Sequence, residues 1–443
     1  MSHDSMDVGG RGRSYVIVGN GIAGVTAAET LRAEDGAASI TIIAGDTHPV
    51  YYRPALKDFL GGRLGGEKLW ARSHSFYHDL RVRYIADQVV AIDGRLHVVW
   101  LASGRQVGFD RLLLANGALA NTLACPGMHL AGVTTLRSVS DYQKVLDYLG
   151  SVRHVVVVGS GTLALESVET LRGRGLQVTH LVRHQTLWSE VLDATASDLV
   201  LQQEEHDEVD VLPGQEVAEI VGKDGRVSGV ITRQGLHISC ELVLIAIGIQ
   251  PVIDFIARSG IACGRGVRVD ASMRTSMPDV FAAGDVVETH NPLTGRARPL
   301  GQWYPAIQQA RAAAYSMLDM LDTSSTAGTG INYLNATFLY GLDFASIGLT
   351  NIVGHPYHAL IAEPQPRRYQ KVLLRNGIPV GWLSLGDRAP ALAFKRAIDH
   401  GVNLLPVAPV LFEQRFRLDD WLDTQGVPPP VLNVSKVGEG RYG

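Results

Sequence analysis

Two glycine-rich segments of the chain follow the same pattern of residue types. The first reads GNGIAG at residues 19–24 and comes after an apolar run at 15–18, and the second reads GSGTLA at 159–164 and comes after a valine-rich run at 154–158. A strand, a glycine turn and a helix in this order bring main-chain N–H groups and the positive end of a helix dipole close to a pyrophosphate. One such segment can arise by chance, whereas two in matching contexts indicate two dinucleotide sites.

The first segment predicts the residues that contact one dinucleotide. An acidic residue at the end of the next strand holds the ribose hydroxyls in such sites, and Asp46 follows the β-branched run at 39–44. An aspartate in an exposed surface loop is the alternative for Asp46. The predicted contacts at the turn itself are Gly19, Gly21, Ile22, Ala23 and Gly24.

The second segment differs where the nucleotide is selected. After the strand at 178–182 the chain continues with Arg183 and His184 and no acid. A guanidinium suits the 2′-phosphate of NADPH and offers nothing to the ribose diol of NADH, so we predict that NADPH is favoured and that NADH is the second candidate. An exposed arginine in an enzyme that binds NADH through its main chain is the alternative. The predicted turn contacts are Gly159, Gly161 and Ala164.

These elements predict an α/β fold with two Rossmann-like domains and a small α+β C-terminal domain. A chain of 443 residues is too long for one hydrophobic core. Apolar strands end shortly before Gly117 and Gly248, where we predict the crossings between the domains, and Asn376-Gly377 predicts a hairpin turn. The predicted division is a disordered leader at 1–14, a first dinucleotide domain at 15–120 and 250–325, a second at 121–249, a linker at 324–330, and the C-terminal domain and tail at 331–443.

The composition excludes several classes of function. A net charge of −4 gives no reason to expect a nucleic acid partner. No segment approaches the ~20 apolar residues of a membrane span, and the first residues lack the apolar core of a secretory signal, so we interpret the protein as cytoplasmic. Cys125, Cys240 and Cys263 form no CxxC or CxxxxC pair, so the sequence signals neither a redox disulfide nor a metal site.

Three further segments make a family resemblance specific. They are VFAAGD at 280–285, YYRPAL at 51–56 and the helix at 301–310. Together with the two turns they resemble the two-dinucleotide flavoproteins of the pyridine-nucleotide oxidoreductase family, which have a glutathione reductase-like fold. Within it, they are most similar to the branch of ferredoxin and rubredoxin reductases and of the flavin part of nitrite reductase. The resemblance covers residues 15–320 and implies FAD at the first turn and NAD(P)H at the second.

The same resemblance implies roles for individual residues. Asp285 is expected to hydrogen-bond the ribityl chain of FAD, and Lys57 and Glu166 to form a pair near flavin N5 that tunes the flavin and orients the nicotinamide. Lys57 comes one residue earlier than the lysine usual in this branch and Asp58 takes its place, so a surface salt bridge is the alternative. The remaining predicted cofactor contacts are Arg53, Pro54, Ala115, Gly117, Gly248, Gly284, Gln302 and Tyr304.

The positions of the cysteines decide the expected subclass. Residues 15–60 contain none, whereas the thiol-dependent branches of the family carry theirs there, so electrons are expected to pass from the flavin to an external acceptor. An acidic iron-sulfur protein or rubredoxin is our first choice, with a small molecule such as a quinone, or a regulatory role resembling apoptosis-inducing factor, as alternatives. A homodimer is left open. The cations that could dock an acidic partner, or that are merely solvated charges, are Arg367, Arg368, Arg388, Lys395, Arg396, Arg415 and Arg417.

Overall fold

The computed structural model describes residues 12–46, 48–73, 75–291, 294–295, 297–320, 334–363 and 365–429. The chain divides into two compact units: unit 1 holds residues 1–181 and 215–329, and unit 2 holds residues 182–214 and 330–443. The predicted linker at 324–330, most of the predicted leader and the end of the tail lie outside the described residues. Where the chain is described, no helix is long and apolar enough to cross a bilayer.

The strands and helices of the described residues follow in chain order. The strands are β1 (Ser14–Val18), β2 (Ser39–Ala44), β3 (Val82–Ala86), β4 (Val89–Asp93), β5 (Val98–Leu101), β6 (Gln106–Gly108), β7 (Arg111–Leu114), β8 (Ala118–Ala120), β9 (Val133–Thr135), β10 (His154–Val158), β11 (Gln177–Val182), β12 (Asp210–Pro213), β13 (Val217–Lys223), β14 (Arg226–Thr232), β15 (His237–Ser239), β16 (Leu242–Ile245), β17 (Ile249–Pro251), β18 (Val267–Arg268), β19 (Val280–Ala282), β20 (Val287–His290), β21 (Ala297–Arg298), β22 (Leu334–Leu339), β23 (Leu342–Gly348), β24 (Tyr357–Ile361), β25 (Tyr369–Arg375) and β26 (Ile378–Leu385). The helices are α1 (Ile22–Glu34), α2 (Leu56–Leu60), α3 (Phe76–Asp79), α4 (Val139–Tyr148), α5 (Thr162–Gly173), α6 (Ala194–His206), α7 (Asp254–Arg258), α8 (Trp303–Met317), α9 (Ala391–Asp399) and α10 (Leu418–Thr424).

The first sheet of unit 1 is parallel and has the order β19-β7-β1-β2-β3. Its central strands are buried on both faces, which is why their sequences are continuous apolar runs. On one face the core contains side chains of α1 and α8, including Val25, Leu31 and Ala310. In register, Ile17 lies opposite Ile42.

The second parallel sheet contains β11, β10, β16 and β9, in that order, in unit 1. It repeats the arrangement of the first sheet, with the glycine turn again between the central strand and the following helix. Val157 lies opposite His180 in this sheet. The corresponding pair in the first sheet is Ile17 and Ile42. Smaller antiparallel sheets, β4-β5-β6 and β13-β14-β15, are also part of unit 1.

Unit 2 is built on the antiparallel sheet β22-β23-β26-β25-β24. The predicted hairpin joins β25 to β26, where Asn376 (φ 53°) and Gly377 (φ 82°) have the left-handed conformation that this sequence favours. Helix α9 covers the sheet, and the rings of Trp382 and Phe394 stack with their centroids 5.0 Å apart.

Arg396 fixes the end of the described chain to this core. Its side chain is only 4% exposed. The guanidinium donates to Asp423 Oδ1 at 2.7 Å, to the Pro428 carbonyl at 2.9 Å and to the Val427 carbonyl. Burying a guanidinium is tolerated here because its N–H groups have acceptors.

Candidate functional site

The first glycine turn leaves open space beside the start of α1. Gly19 has φ 111°, and a Cβ atom there would overlap the Ala115 carbonyl, so only glycine fits. A Cβ atom at Gly24 would overlap the carbonyl oxygen of Gly19. At Gly21, by contrast, no atom of the described residues lies within 4 Å of the Cβ position. Helix α1 begins next to this open space, with Ile22 and Ala23 in its first turn and no described side chain capping it.

Asp46 lies two residues beyond the end of β2 and is exposed. Its Oδ1 accepts a hydrogen bond from the main-chain N–H of His48 at 3.0 Å and lies 2.8 Å from His48 Nδ1. Both contacts are local, and the carboxylate remains on the surface. Its assignment to a ribose therefore stays a prediction.

Asp285 is part of an ion-pair cluster that sequence reasoning did not fully anticipate. Its Oδ2 accepts from Arg137 Nη2 and lies 3.9 Å from Nη1 of the predicted contact Arg53. Burial lowers the pKa of the Arg137 guanidinium, the Arg53 cation lowers it further, and Asp285 opposes both. Ser138, the residue after Arg137, begins the capping box of α4. This capping box was the local sequence signal that the main chain next to Arg137 is fixed.

In this cluster the guanidinium groups of Arg53 and Arg137 lie beside the Asp285 carboxylate, which was predicted to bind the ribityl chain. Pro54 lies beside Arg53 in a short 3₁₀ turn, Arg53–Ala55. Gly284, which precedes Asp285, has φ 83° and donates its N–H to Gln309 Oε1 at 2.8 Å. A polar, positively charged environment of this kind is compatible with a polyol and with the anionic parts of a dinucleotide.

Lys57 and Glu166 form an ion pair in unit 1. Lys57 Nζ lies 2.8 Å from Glu166 Oε1, and the two side chains are only 22% and 16% exposed. Lys57 is on α2 and Glu166 is on α5, so the pair joins the YxRPxL segment to the helix that begins at the second glycine turn. Tyr142, which sequence reasoning missed, lies near the pair: burial raises the pKa of its phenol, and the Glu166 carboxylate raises it further.

Gln302 has an extended conformation and directly precedes α8, whose N-terminus is not capped by any described side chain. Tyr304, in its first turn, is 62% exposed, whereas the ring of Trp303 packs edge-on against Tyr52 with centroids 5.1 Å apart. The uncapped N–H groups of this 15-residue helix form a site of positive potential. The predicted contacts Gln302 and Tyr304 are therefore located at a helix end of positive potential, and their contact with a flavin stays a prediction.

The two predicted crossings are side by side. Gly117 (φ 70°) precedes β8 and Gly248 (φ 98°) precedes β17, and these two short strands pair in the antiparallel direction. Ala115, just before the first crossing, donates its N–H to the Val18 carbonyl at 2.8 Å and so continues the sheet next to the first turn. The crossing strands form a two-stranded ribbon in unit 1.

The second glycine turn is fixed from both sides by β11. Gly159 (φ 142°) donates its N–H to the Leu181 carbonyl at 3.1 Å, and its own carbonyl lies 2.8 Å from Nε2 of His180. His180 is fully buried and was not singled out by sequence reasoning. At Gly161 the Cβ position is again open to 4 Å among the described residues, and α5 begins there without a described side-chain cap. Ala164 is in the first turn of α5.

Arg183 and His184 come directly after β11, at the start of unit 2. Both side chains are exposed. Arg183 Nη2 lies 3.3 Å from His184 Nε2, so the two groups are adjacent on the surface. We call these two adjacent residues the Arg183–His184 corner. Its N–H groups can donate hydrogen bonds to a phosphate.

The cations suggested for a docking surface are largely neutralised within unit 2. Their acidic partners are Asp387 for Arg368, Asp343 for Arg388, Asp399 for Lys395, Asp419 and Asp423 for Arg396, and Asp420 for Arg417. Arg367 donates to Gln203. This pairing favours the alternative interpretation, in which these are ordinary surface charges.

The three cysteines form no disulfide. Cys240 is buried, and burial raises the pKa of its thiol to about 12. Burial also raises the pKa of the thiols of Cys125 and Cys263. A thiol with a raised pKa is a poor nucleophile, so none of the three has the character of a redox-active cysteine.

Comparison with known proteins decides the family. The pyridine nucleotide-disulphide oxidoreductase family model matches residues 13–313. The chain belongs to this family. The ferredoxin–NAD(+) reductase component of the biphenyl dioxygenase system of Paraburkholderia xenovorans is 34% identical over 308 residues, which are 69% of this chain and 74% of that protein. Nitrite reductase [NAD(P)H] of Bacillus subtilis is 29% identical over 377 residues, or 85% of this chain and 46% of that protein, so the chain spans about half of that relative's length.

The solved structures agree on the fold. The covalent putidaredoxin reductase–putidaredoxin complex superimposes with a TM-score of 0.86 at 22% identity, over 95% of this chain and 100% of the matched chain. The prediction of an α/β fold with two dinucleotide-binding domains is confirmed, as is the prediction that the chain is of the FAD-dependent NAD(P)H oxidoreductase class. The roles of individual residues and the domain bounds stay predictions.

Proposed function

We propose that the protein accepts hydride from NADPH onto bound FAD and passes the electrons to a ferredoxin-type iron-sulfur protein. The observation that carries the proposal is the Lys57–Glu166 ion pair, which links α2 to the helix that follows the second glycine turn. A mostly buried pair between these two elements supports a role in a reaction between two cofactors. The absence of cysteine from residues 15–60 supports an external acceptor.

The residues of the first turn would hold FAD. Gly19, Gly21 and Gly24 would allow the main chain to approach the pyrophosphate, and the N–H groups at the start of α1 would bind it. Asp285, held by Arg137 and Arg53, would hydrogen-bond the ribityl chain, and the start of α8 would face the flavin ring. When bound there, FAD supplies hydride acceptance and the ability to release electrons singly.

The residues of the second turn would hold the nicotinamide nucleotide. Gly159 and Gly161 present the turn and the N-terminus of α5 to the pyrophosphate, and Lys57 and Glu166 would orient the nicotinamide. Arg183 and His184 would bind the 2′-phosphate, which is the basis for preferring NADPH to NADH. Hydride transfer needs the two reacting atoms within about 3.5 Å, so small errors in this orientation reduce the rate strongly.

The names of the relatives support the acceptor. The Paraburkholderia relative is a ferredoxin–NAD(+) reductase component, and the matched solved structure is a complex with putidaredoxin. The basic side chains of unit 2 are mostly paired with acids, so they add little support for a docking site at those positions.

An anaerobic titration tests the function. The FAD-loaded protein is mixed with NADPH or NADH, the loss of flavin absorbance is followed, and oxidised ferredoxin, rubredoxin or a quinone is then added. The proposal expects faster bleaching with NADPH and rapid recovery of absorbance with an iron-sulfur acceptor or rubredoxin. Rapid recovery with the quinone alone would replace the protein acceptor by a small molecule. If neither nucleotide bleaches the flavin, the oxidoreductase function is wrong.

A further inference from the structure

The segment at 182–214 belongs to the same compact unit as the C-terminal sheet. This segment begins with the Arg183–His184 corner and contains α6, and it is continuous in sequence with β11 of unit 1. Its contacts with the C-terminal sheet therefore lie within one unit. Hydrogen bonds and a ring contact attach the segment to that sheet.

Asp193 is the main anchor of the segment. Its Oδ1 accepts from the Ala196 N–H at 3.0 Å and so caps α6. Its Oδ2 accepts from Tyr369 Oη and from Lys371 Nζ, each at 2.6 Å. Tyr369 and Lys371 are two residues apart on β25 and therefore share one face of the sheet. The side chain of Lys371 is only 7% exposed.

Asp193 and Lys371 form a mostly buried ion pair. Burial tends to raise the pKa of the Asp193 carboxyl, but the hydrogen bonds from Lys371 and Tyr369 outweigh burial and hold this pKa below its usual range. The carboxylate is therefore charged at neutral pH, and Lys371 is the cation that compensates it. Removing one member of such a pair leaves the other poorly solvated.

A second anchor fixes the main chain just before Asp193. Thr350 Oγ1 donates to the Val191 carbonyl at 2.7 Å. Asn351 Nδ2 donates to the carbonyls of Ser189 and Leu192, each at 2.8 Å. Because all three acceptors are main-chain atoms, they fix the path of the backbone rather than one side chain.

The far end of α6 is attached to the same domain. Tyr340 Oη donates to Glu204 Oε1 at 2.6 Å, and Glu204 is fully buried. Near the start of the segment, the rings of Trp188 and Phe344 are in contact with centroids 5.2 Å apart. The segment is thus held at several points between residues 188 and 204 by residues 340–371.

From these contacts we infer that Lys371, together with Tyr369 and Asn351, positions the Arg183–His184 corner, so that the C-terminal domain determines how tightly the protein binds the 2′-phosphate of NADPH. The inference rests on the proposed function. Lys371 would act through Asp193 and the loop at 183–192 rather than by contact with the nucleotide. It is a positioning residue.

The test measures steady-state kinetics of Lys371→Met in the full-length, FAD-loaded protein with ferricyanide as acceptor. Methionine keeps the apolar stem and removes the charge. We expect the KM for NADPH to rise about tenfold, as for the loss of one charge-assisted hydrogen bond, with kcat and the FAD content unchanged. Lys371→Arg should restore most of the affinity. Lys223→Met, which removes an exposed lysine of β13, is the matched control and should change nothing.

The double variant identifies the route of the effect. If Lys371 acts through the corner, Lys371→Met should raise the KM for NADPH much less in an Arg183→Gln background than in the wild type, since both changes weaken the same interaction. Equal increases in the two backgrounds would overturn the inference. An unchanged KM in Lys371→Met would also overturn it. So would a rise in KM that comes with a fall in kcat and in FAD content and that Lys371→Arg does not avoid.

Two further results separate this inference from the proposed function. If the wild type is not bleached by either nucleotide, the proposed function fails before any variant is made. If the wild type is bleached and Lys371→Met keeps its KM, only the inference fails. Should Lys371→Met not fold, Asn351→Ala removes the anchor at Ser189 and Leu192 without leaving a buried charge and is expected to raise the same KM; an unchanged KM in that variant would overturn the inference.

Discussion

The two glycine turns have the same motif but are stabilised in different ways. In the first, the carbonyl of Gly19 packs directly against the Cα of Gly24 in the following helix. In the second, Ala164 replaces that third glycine, and the carbonyl of Gly159 is instead bonded to the buried ring of His180. The corresponding position in the first sheet is Ile42. Both first glycines pack closely against a backbone carbonyl, that of Ala115 for Gly19 and that of Ala246 for Gly159, and the second turn has in addition the contact with the His180 ring.

This difference matches the proposed use of the two sites. A turn that depends on packing against its own helix is part of the core and suits a cofactor that is bound permanently. A turn that is held in part by a side-chain contact can be altered with less change to the backbone packing, which suits a nucleotide that exchanges. Four substitutions, ordered by decreasing effect, test this contrast.

Gly24→Ala should have the largest effect. The new methyl group would overlap the Gly19 carbonyl, and overpacking of this kind costs about 1–3 kcal/mol, so we expect loss of FAD and a lower Tm. Flavin absorbance per protein and thermal unfolding measure both. Gly21→Ala is the matched control, because its methyl group enters open space. Without FAD, this variant should unfold at the same Tm as the wild type, and only its affinity for FAD should fall. Full FAD occupancy in Gly24→Ala would contradict the packing argument.

Lys57→Met should slow hydride transfer. The variant removes the Lys57 ammonium from Glu166 and, if the proposed role is right, a group that orients the nicotinamide, so we expect the rate of flavin reduction to fall by roughly 100-fold at saturating NADPH. Stopped-flow absorbance gives this rate. Arg63→Met, which breaks the nearby exposed pair with Asp58, should leave it unchanged. Equal rates in wild type and Lys57→Met would mean that the pair is only a salt bridge.

Arg183→Glu should change nucleotide preference. Replacing the cation by an anion would remove the proposed charge-assisted hydrogen bond to the 2′-phosphate and add repulsion, so the KM for NADPH should rise by about 10- to 100-fold. The KM for NADH should change little. Steady-state kinetics with both nucleotides measure the two constants, and a similar change in both would remove the basis for preferring NADPH.

His180→Leu should have the smallest effect. Leucine gives this position of the second sheet the apolar character that Ile42 has in the first. The change also removes one hydrogen bond from the Gly159 carbonyl, so we expect an increase of roughly 3- to 10-fold in the KM for NADPH. FAD content and kcat should be unchanged. His180→Gln, which keeps an N–H donor, should behave more like the wild type. An FAD loss in His180→Leu would show that the two sites are not independent.

The sequence predicted the fold because the signals are local. The glycine turns, the valine-rich strands and the Asn376-Gly377 hairpin each occupy a few consecutive residues, and each has a physical reason to form where it does. Lys57 and Glu166 are 109 residues apart, and only the family resemblance connected them. Their contact in the structure is a property of how α2 and α5 pack.

The residues that were missed depend on the pairing of distant strands. His180 is an ordinary member of an apolar strand until β10 and β11 are placed in register, which brings its ring to Gly159. Arg137 meets Asp285 across 148 residues of sequence. The attachment of Asp193 to β25 likewise joins residues almost 180 positions apart, and nothing in either segment alone indicates it.

Arg396 has a consequence for where the chain can be cut. A protease or a stop codon that removed the residues after Thr424 would take away the carbonyls of Val427 and Pro428 and leave a buried guanidinium with too few acceptors. Asp419 and Asp423 would still pair with Arg396, but leaving a buried donor without its acceptor costs roughly 1–3 kcal/mol, a notable share of the stability of a small domain. The residues up to Pro428 therefore belong to the folded domain rather than to an expendable tail.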